Sequence, residues 1–467
     1  MIFNSIDFLA FFVIVFALFY SLSGKPRQIL LFTASCVFYM WFIPVYVLIL
    51  FLTILIDYVA AIKIEEHDSQ KSKKLHLILG VVNTCIVLFV FKYHNFFIDN
   101  FNYLGLHTIS RWDIILPIGL SFHVFQSLSY VIEVYRGNIK AERNLLVYAN
   151  FVMMFPQLVA GPIERADNLI PQLRDDAKPI SYDDFYIGFH RFIWGLFKKV
   201  VVADLLSTYV DATYNNYEIH PGSMLLVGTI CFSIQIYCDF SGYSDMAIGI
   251  ARMLGFKFRE NFLIPYFSKD ITEFWRRWHI SLSTWLRDYL YISFGGNRHG
   301  KFNTYRNLML TFLLGGLWHG ASWNFVIWGA LNGLYLSIEK ATDLPKYKPK
   351  HILAKLFRIS YVFVLISFSW IFFRSITFQQ AITIIRKIIF NFNIRGFKFL
   401  DTNVFASMML GTVILLVVEY FIFRKYSFES IIKKKAPRLV WVFCLFMLFT
   451  IVLLGNSNGS QFIYFQF

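Results

Sequence analysis

Val440–Leu454 reads VWVFCLFMLFTIVLL. A helix on the surface of a soluble protein keeps a polar face, and this stretch has none on any side. Hydrocarbon is the solvent that accepts it. Working outward, comparable runs cover Ile6–Leu22, Ile29–Trp41 and on past Pro44 to Ile62, Leu77–Phe97, Ile114–Tyr135, Ile187–Leu206, Ser223–Ile250, Asn307–Ile338, Leu356–Phe373 and Val404–Phe423. Composition agrees. Of 467 residues, 57% are hydrophobic, 19% aromatic and 16% charged. A soluble chain carries about 25% charged residues. Mean hydropathy is +0.54. A disordered chain is poor in aromatics, and 54 Phe exclude that class. A membrane barrel needs short alternating segments, which these runs are not. The expected fold is an all-α polytopic membrane protein of ten to twelve spans, at about 20 residues each, forming one domain over residues 1–467.

The formal net charge is +15. Basic residues of membrane proteins gather in cytoplasmic loops. Lys25 and Arg27 follow the first run, which therefore leaves the N-terminus outside. The loop with Lys63, Lys71, Lys73 and Lys74 and the one with Arg136, Lys140 and Arg143 fall inside. After Lys433-Lys434-Lys435 the last span returns the C-terminus to the outside. The N-terminus lacks a basic region and a small-residue cleavage site, so the first helix is expected to be retained. Val147–Val159 is too short to cross and fits a re-entrant or interfacial segment. A mixed-charge stretch with Pro171 and Pro179 follows it. Arg252–Arg306 is polar but dense in Trp, Tyr and Phe, the pattern of amphipathic helices in the cytoplasmic interface. Gly315-Gly316 and His319-Gly320 predict a bend within Asn307–Ile338. The five cysteines, Cys36, Cys85, Cys231, Cys238 and Cys444, have no metal-site spacing. No HExxH, P-loop or GxSxG is present.

Ionisable groups at membrane depth are costly and point to function. His319 lies in Leu314-Gly-Gly-Leu-Trp-His-Gly-Ala-Ser-Trp323, with no charged residue between Arg306 and Glu339. The glycines let backbone or substrate approach, and a neutral imidazole there is a candidate general base. The competing role is a histidine hydrogen-bonded between packed helices. Phe274-Trp-Arg-Arg-Trp-His-Ile-Ser-Leu-Ser283 offers His279, Arg276 and Arg277. The arginines suit phosphate, or anchor a helix in the headgroup zone. On one helix Glu273 and Arg277 would pair, and Arg276 would lie one turn from His279. Asp239 and Asp245 fall in an apolar run. Their plainer role is to pair with Arg252, Arg276 or Arg277, and the sharper one is a proton relay.

WRRWHISLS at Trp275–Ser283 together with GGLWHGASW at Gly315–Trp323 resembles the membrane-bound O-acyltransferase family, in its bacterial alginate O-acetylation branch. Tyr237–Asp245, Gly295–Arg298, Phe155–Arg165, Leu128–Gly137 and Phe462–Phe467 resemble family segments too, so the likeness spans nearly the whole chain. The resemblance implies about eleven transmembrane helices, with re-entrant and interfacial helices, around a funnel or tunnel. It places the family histidine at His319 and the second polar position at His279. Trp318, Arg276, Arg277, Asp239 and Asp245 become candidate substrate-binding positions. It implies no bound cofactor or metal, and a cytosolic acyl-CoA donor, acetyl-CoA in this branch. The acyl group would pass outward from the bacterial inner membrane. A periplasmic or surface SGNH-type partner would then place it on a polysaccharide. His123 departs from the expected pattern and carries no assigned role. The competing readings are an acyl conduit or transporter without chemistry, and an acyltransferase acting on lipid or peptidoglycan.

Overall fold

In a computed structural model of the chain, every regular element among the described residues is helical. The structure describes residues 1–105, 108–174, 181–347, 349, 351–394, 402–420, 428–434, 437–455 and 462–463. Pro179, Lys435 and Tyr464–Phe467, named above, lie outside them. Among the described residues, five helices are long and apolar enough to cross a bilayer: Pro44–Glu66, Gln70–Tyr103, Gly222–Met253, Ile352–Arg374 and Pro437–Leu454. Ile6–Ser21 and Val404–Val418 are apolar but shorter. Along Pro437–Leu454, Leu439, Val442, Leu445, Phe449 and Val452 are all exposed. That is a lipid-facing surface, and the chain is a polytopic membrane protein.

The described residues cluster in two compact units. One comprises Met1–Phe189 and Ala247–Arg259, the other His190–Met246 and Glu260–Phe467. In the first, Val147–Val159 forms two short helices, Leu145–Met153 and Phe155–Leu158. They do not cross, as the length required. They are buried within the unit and not laid in an interface. Side chains satisfy the broken backbone there: Asn150 Nδ2 donates to the Gln28 carbonyl at 3.0 Å, and the Phe155 N–H donates to Ser35 Oγ at 3.1 Å. His123 is buried in the same unit, on Leu120–Tyr135. So is Asp57, whose carboxylate accepts from Ser127 Oγ, itself 2.9 Å from Tyr148 Oη. A carboxyl in an apolar span needs such partners.

The second unit departs from expectation in two places. Gly315-Gly316 does not bend its helix, which runs unbroken from Gly300 to His319. The expected pair of segments does form, with its break at His319-Gly320, and Trp323–Ala341 packs back against Gly300–His319. The glycines serve contact instead. A Cβ on Gly316 would stand 2.2 Å from the Phe325 carbonyl oxygen, and one on Gly329 would stand 2.2 Å from that of Phe312. Gly316→Ala is therefore expected to destabilise the protein by about 1–3 kcal/mol, the cost of overpacking. A lowered thermal unfolding midpoint of the solubilised protein checks this.

The stretch from Glu260 to Arg306 also does not form long amphipathic helices. Ile271–Arg277 and Ile280–Leu286 are short, and Phe274, Trp278, Leu282 and Trp285 are buried within the unit. Their aromatics form the core of the site. The amphipathic helix Phe378–Phe390 was not anticipated.

Candidate active site

His279 sits between Ile271–Arg277 and Ile280–Leu286 with φ +43°, in the left-handed region. The two segments therefore do not form one helix, and Arg276 is not one turn from His279 along a common axis. Arg276 is exposed. Arg277 does pair with Glu273, at 2.6 Å. Glu339 fixes the start of the first short helix. Its carboxylate accepts from the Ile271 and Thr272 N–H groups at 2.6 and 2.9 Å. A non-glycine residue in the left-handed region costs of order 1–3 kcal/mol and persists where its surroundings over-determine it.

Asn261 supplies that constraint. Its Nδ2 donates to Ser244 Oγ at 2.9 Å, while its Oδ1 accepts from Ser281 Oγ at 2.9 Å and from the Ser281 N–H at 3.3 Å. These bonds fix which end of the amide is oxygen. The same Oδ1 lies 3.1 Å from His279 Nδ1, so Nδ1 carries the proton and Nε2 is the basic nitrogen. His279 is fully buried, with its ring edge-on to Phe240 at 4.6 Å. It lies in a turn outside the membrane-spanning helices, and burial pushes its pKa down to about 3, so the ring is neutral. A neutral ring with this tautomer accepts a proton at Nε2. It does not donate from that atom to an oxyanion. Asn261→Leu removes the orienting acceptor, and turnover is expected to fall roughly tenfold to a hundredfold, on about 1–3 kcal/mol for the lost hydrogen-bond partner. The catalytic rate of the folded variant measures it.

His319 ends the helix Gly300–His319 and is 6% exposed. Its ring meets Trp328 edge-on at 5.0 Å and Phe373 at 5.5 Å. Trp318 stands 4.9 Å from His319 and 6.4 Å from His279, between centroids. One indole thus touches both imidazoles. Trp278 and Trp328 both pack on Trp370, at 5.1 and 5.6 Å, and extend the aromatic wall. The structure places Trp318 next to both His279 and His319. Among the described residues no three His, Cys, Asp or Glu side chains are grouped to hold a metal.

Asp239 and Asp245 pair with cations other than those expected. Asp245 meets Lys198 Nζ at 2.6 Å and Arg191 at 2.8 Å, and Arg191 also holds Glu260 at 2.5 Å. Asp239 meets Lys199 Nζ at 2.8 Å and accepts from the Ile463 N–H at 2.7 Å. Lys199 reaches Asp204 too, at 2.8 Å. Arg252 belongs to the other unit, where it holds Asp184 at 2.6 Å. The two lysines lie in a π-helical turn, Lys198–Ala203, in line with the preceding helix. Their place inside the apolar run Ile187–Leu206 was the available signal. Asn261 gave none, since nothing in its local sequence marks it.

Residues 29–383 match the model of the membrane-bound O-acyltransferase family. The chain is 42% identical to a Pseudomonas aeruginosa protein named probable alginate O-acetylase, over 94% of this chain and 84% of that one. It is 31% identical to a Helicobacter pylori peptidoglycan O-acetyltransferase, over 93% of this chain and 90% of that one. A Bacillus subtilis teichoic acid D-alanyltransferase is 27% identical over 56% of this chain and 70% of its own length.

Proposed function

The chain belongs to the membrane-bound O-acyltransferase family and is an acyltransferase of a membrane, and on that premise we propose that it draws acetyl from cytosolic acetyl-CoA for O-acetylation of an extracytoplasmic polysaccharide. The observation that carries this reading is the shared Trp318 contact of two buried imidazoles, one with its basic nitrogen set by Asn261. The names of the relatives, for alginate and peptidoglycan acetylation, support a glycan or cell-wall acceptor.

In this reaction His319 takes the proton of the attacking hydroxyl as its oxygen bonds to the thioester carbonyl carbon. The carbon–sulfur bond breaks, and the imidazolium returns the proton to the leaving thiolate. His279 Nε2 offers a second proton acceptor on the other side of Trp318. The indole and the rings of Trp328 and Phe373 keep water from the thioester. The first acceptor is a hydroxyl of an SGNH-type partner or of the glycan, on the outer side of the bacterial inner membrane. Both chain termini lie outside in this orientation.

Coenzyme A release from acetyl-CoA tests the reading, using the purified full chain in nanodiscs with and without an SGNH-type partner. Release that depends on an acceptor or partner is expected. No release from folded protein with acetyl-CoA, long-chain acyl-CoA or carrier thioesters would instead support a conduit without chemistry.

A further inference from the structure

The unit that holds the two imidazoles also carries a groove that the reaction above does not use. Its volume is about 80 Å³. One wall comes from the segment before His279, with Lys269, Glu273 and Arg277. The other comes from the first turns of Ile352–Arg374, where Ile352, Leu356 and Ile359 line it beside Lys355. Phe267 and Tyr420 close the floor, their rings 5.6 Å apart.

The charge of this lining is one-sided. Glu273 is the single carboxylate among the lining residues. Its Oε1 is taken by Arg277 at 2.6 Å and its Oε2 by the Lys269 backbone N–H at 2.8 Å. The ammonium groups of Lys269 and Lys355 therefore have no other carboxylate within the lining to neutralise them. Two cations without a carboxylate in the lining, beside an apolar wall, fit an amphiphile whose head is an anion.

Position separates a lipid from a soluble nucleotide. The apolar wall belongs to a membrane-spanning helix. Leu353, Phe357 and Val364 of that helix are 76%, 73% and 63% exposed, so the groove opens beside a lipid-facing surface. The basic residues lie at the beginning of the span, the depth at which Lys and Arg meet headgroups. The volume argues the same way. A site that encloses a drug-sized ligand holds about 300–1,000 Å³. This groove has room for a headgroup phosphate, with the acyl chains outside along the helix, and not for a nucleotide.

We propose that this groove is a binding site for an anionic phospholipid, with Lys269 and Lys355 on the phosphate and the acyl chains along the exposed face of Ile352–Arg374. The role of the imidazoles does not enter the argument.

The test uses the full-length protein in nanodiscs of mixed phosphatidylglycerol and phosphatidylcholine, with the co-purifying lipid read by native mass spectrometry. Wild type is expected to retain phosphatidylglycerol in preference. Lys269→Gln/Lys355→Gln is expected to lower that retention about thirtyfold, the effect of two basic contacts on an anionic lipid. Lys269→Arg/Lys355→Arg is expected to restore it. Unchanged thermal unfolding in phosphatidylcholine alone shows that the Gln variant is folded. Equal retention of both lipids by wild type would overturn the proposal, as would full retention by the Gln variant or loss in the Arg variant. Displacement of the lipid by millimolar coenzyme A would also overturn it and make the groove a donor site.

Discussion

His319→Ala is expected to lose at least about a hundredfold of thioester turnover, because general-base catalysis contributes about 10²–10⁴-fold. The loss should appear with the protein folded and inserted. The His319 ring sits at a helix end among Trp318, Trp328 and Phe373, and its removal opens a cavity without leaving a charge unpaired. Stability should therefore fall far less than rate. Coenzyme A release and the unfolding midpoint, measured on one preparation, separate the two. A normal rate in folded His319→Ala would end its assignment as base. His279→Ala adds a second measure. If the imidazoles act as one unit across Trp318, the double variant should cost little more than the worse single one.

Asp245→Ala is the other large effect, and it is expected in stability. The carboxylate joins two cations, Lys198 at 2.6 Å and Arg191 at 2.8 Å. Arg191 keeps Glu260 after the substitution, but Lys198 is 3% exposed and keeps a neutral hydroxyl contact, to Ser241 Oγ at 3.2 Å. Breaking a buried pair from one side costs about 3–5 kcal/mol. The solubilised variant should unfold at clearly lower temperature and yield less monodisperse protein, with Asp245→Asn milder because it keeps the shape. Turnover per folded molecule should stay within a few-fold of wild type. A variant as stable as wild type but inactive would mean that Asp245 meets substrate and is not a structural anchor.

Both predictions show what could be seen in the sequence. Class and the five long apolar helices among the described residues were legible because a bilayer demands long apolar runs, and that demand is written residue by residue. His319 was legible because an imidazole in such a run is conspicuous, and His279 because of the WRRWHISLS stretch that carries it. Their common neighbour was named, as Trp318, but its contact with both rings depends on the hairpin of Gly300–His319 and Trp323–Ala341 and on the left-handed turn at His279. A turn of that kind at a non-glycine residue leaves no local signature. The partners of Asp239 and Asp245 were misassigned for a similar reason. Arg252, Arg276 and Arg277 are near in sequence or conspicuous beside tryptophan, whereas the true partners come from a helix more than thirty residues upstream. The core role of the aromatics in Arg252–Arg306 was not legible because aromatic and basic residues mark a headgroup zone and a packed site equally well.

The π-helical turn at Lys198–Ala203 sets a rule about length. The Asp204 N–H bonds to the Lys199 carbonyl five residues earlier, and the same two side chains form an ion pair. An α-helix advances about 100° per residue, which puts residues five apart on different faces. The wider turn is what lets this pair meet. Removing one residue between Lys199 and Asp204 would give the pair the i,i+4 spacing, about 40° apart on an ordinary α-helix, so the ion pair would survive in regular helix; the π turn keeps the two side chains in phase with one residue more. Exchange of one small apolar side chain for another keeps that phase. The extra residue of this stretch is therefore dispensable to the buried ion pair, and the turn absorbs it as one residue of slack in the helix.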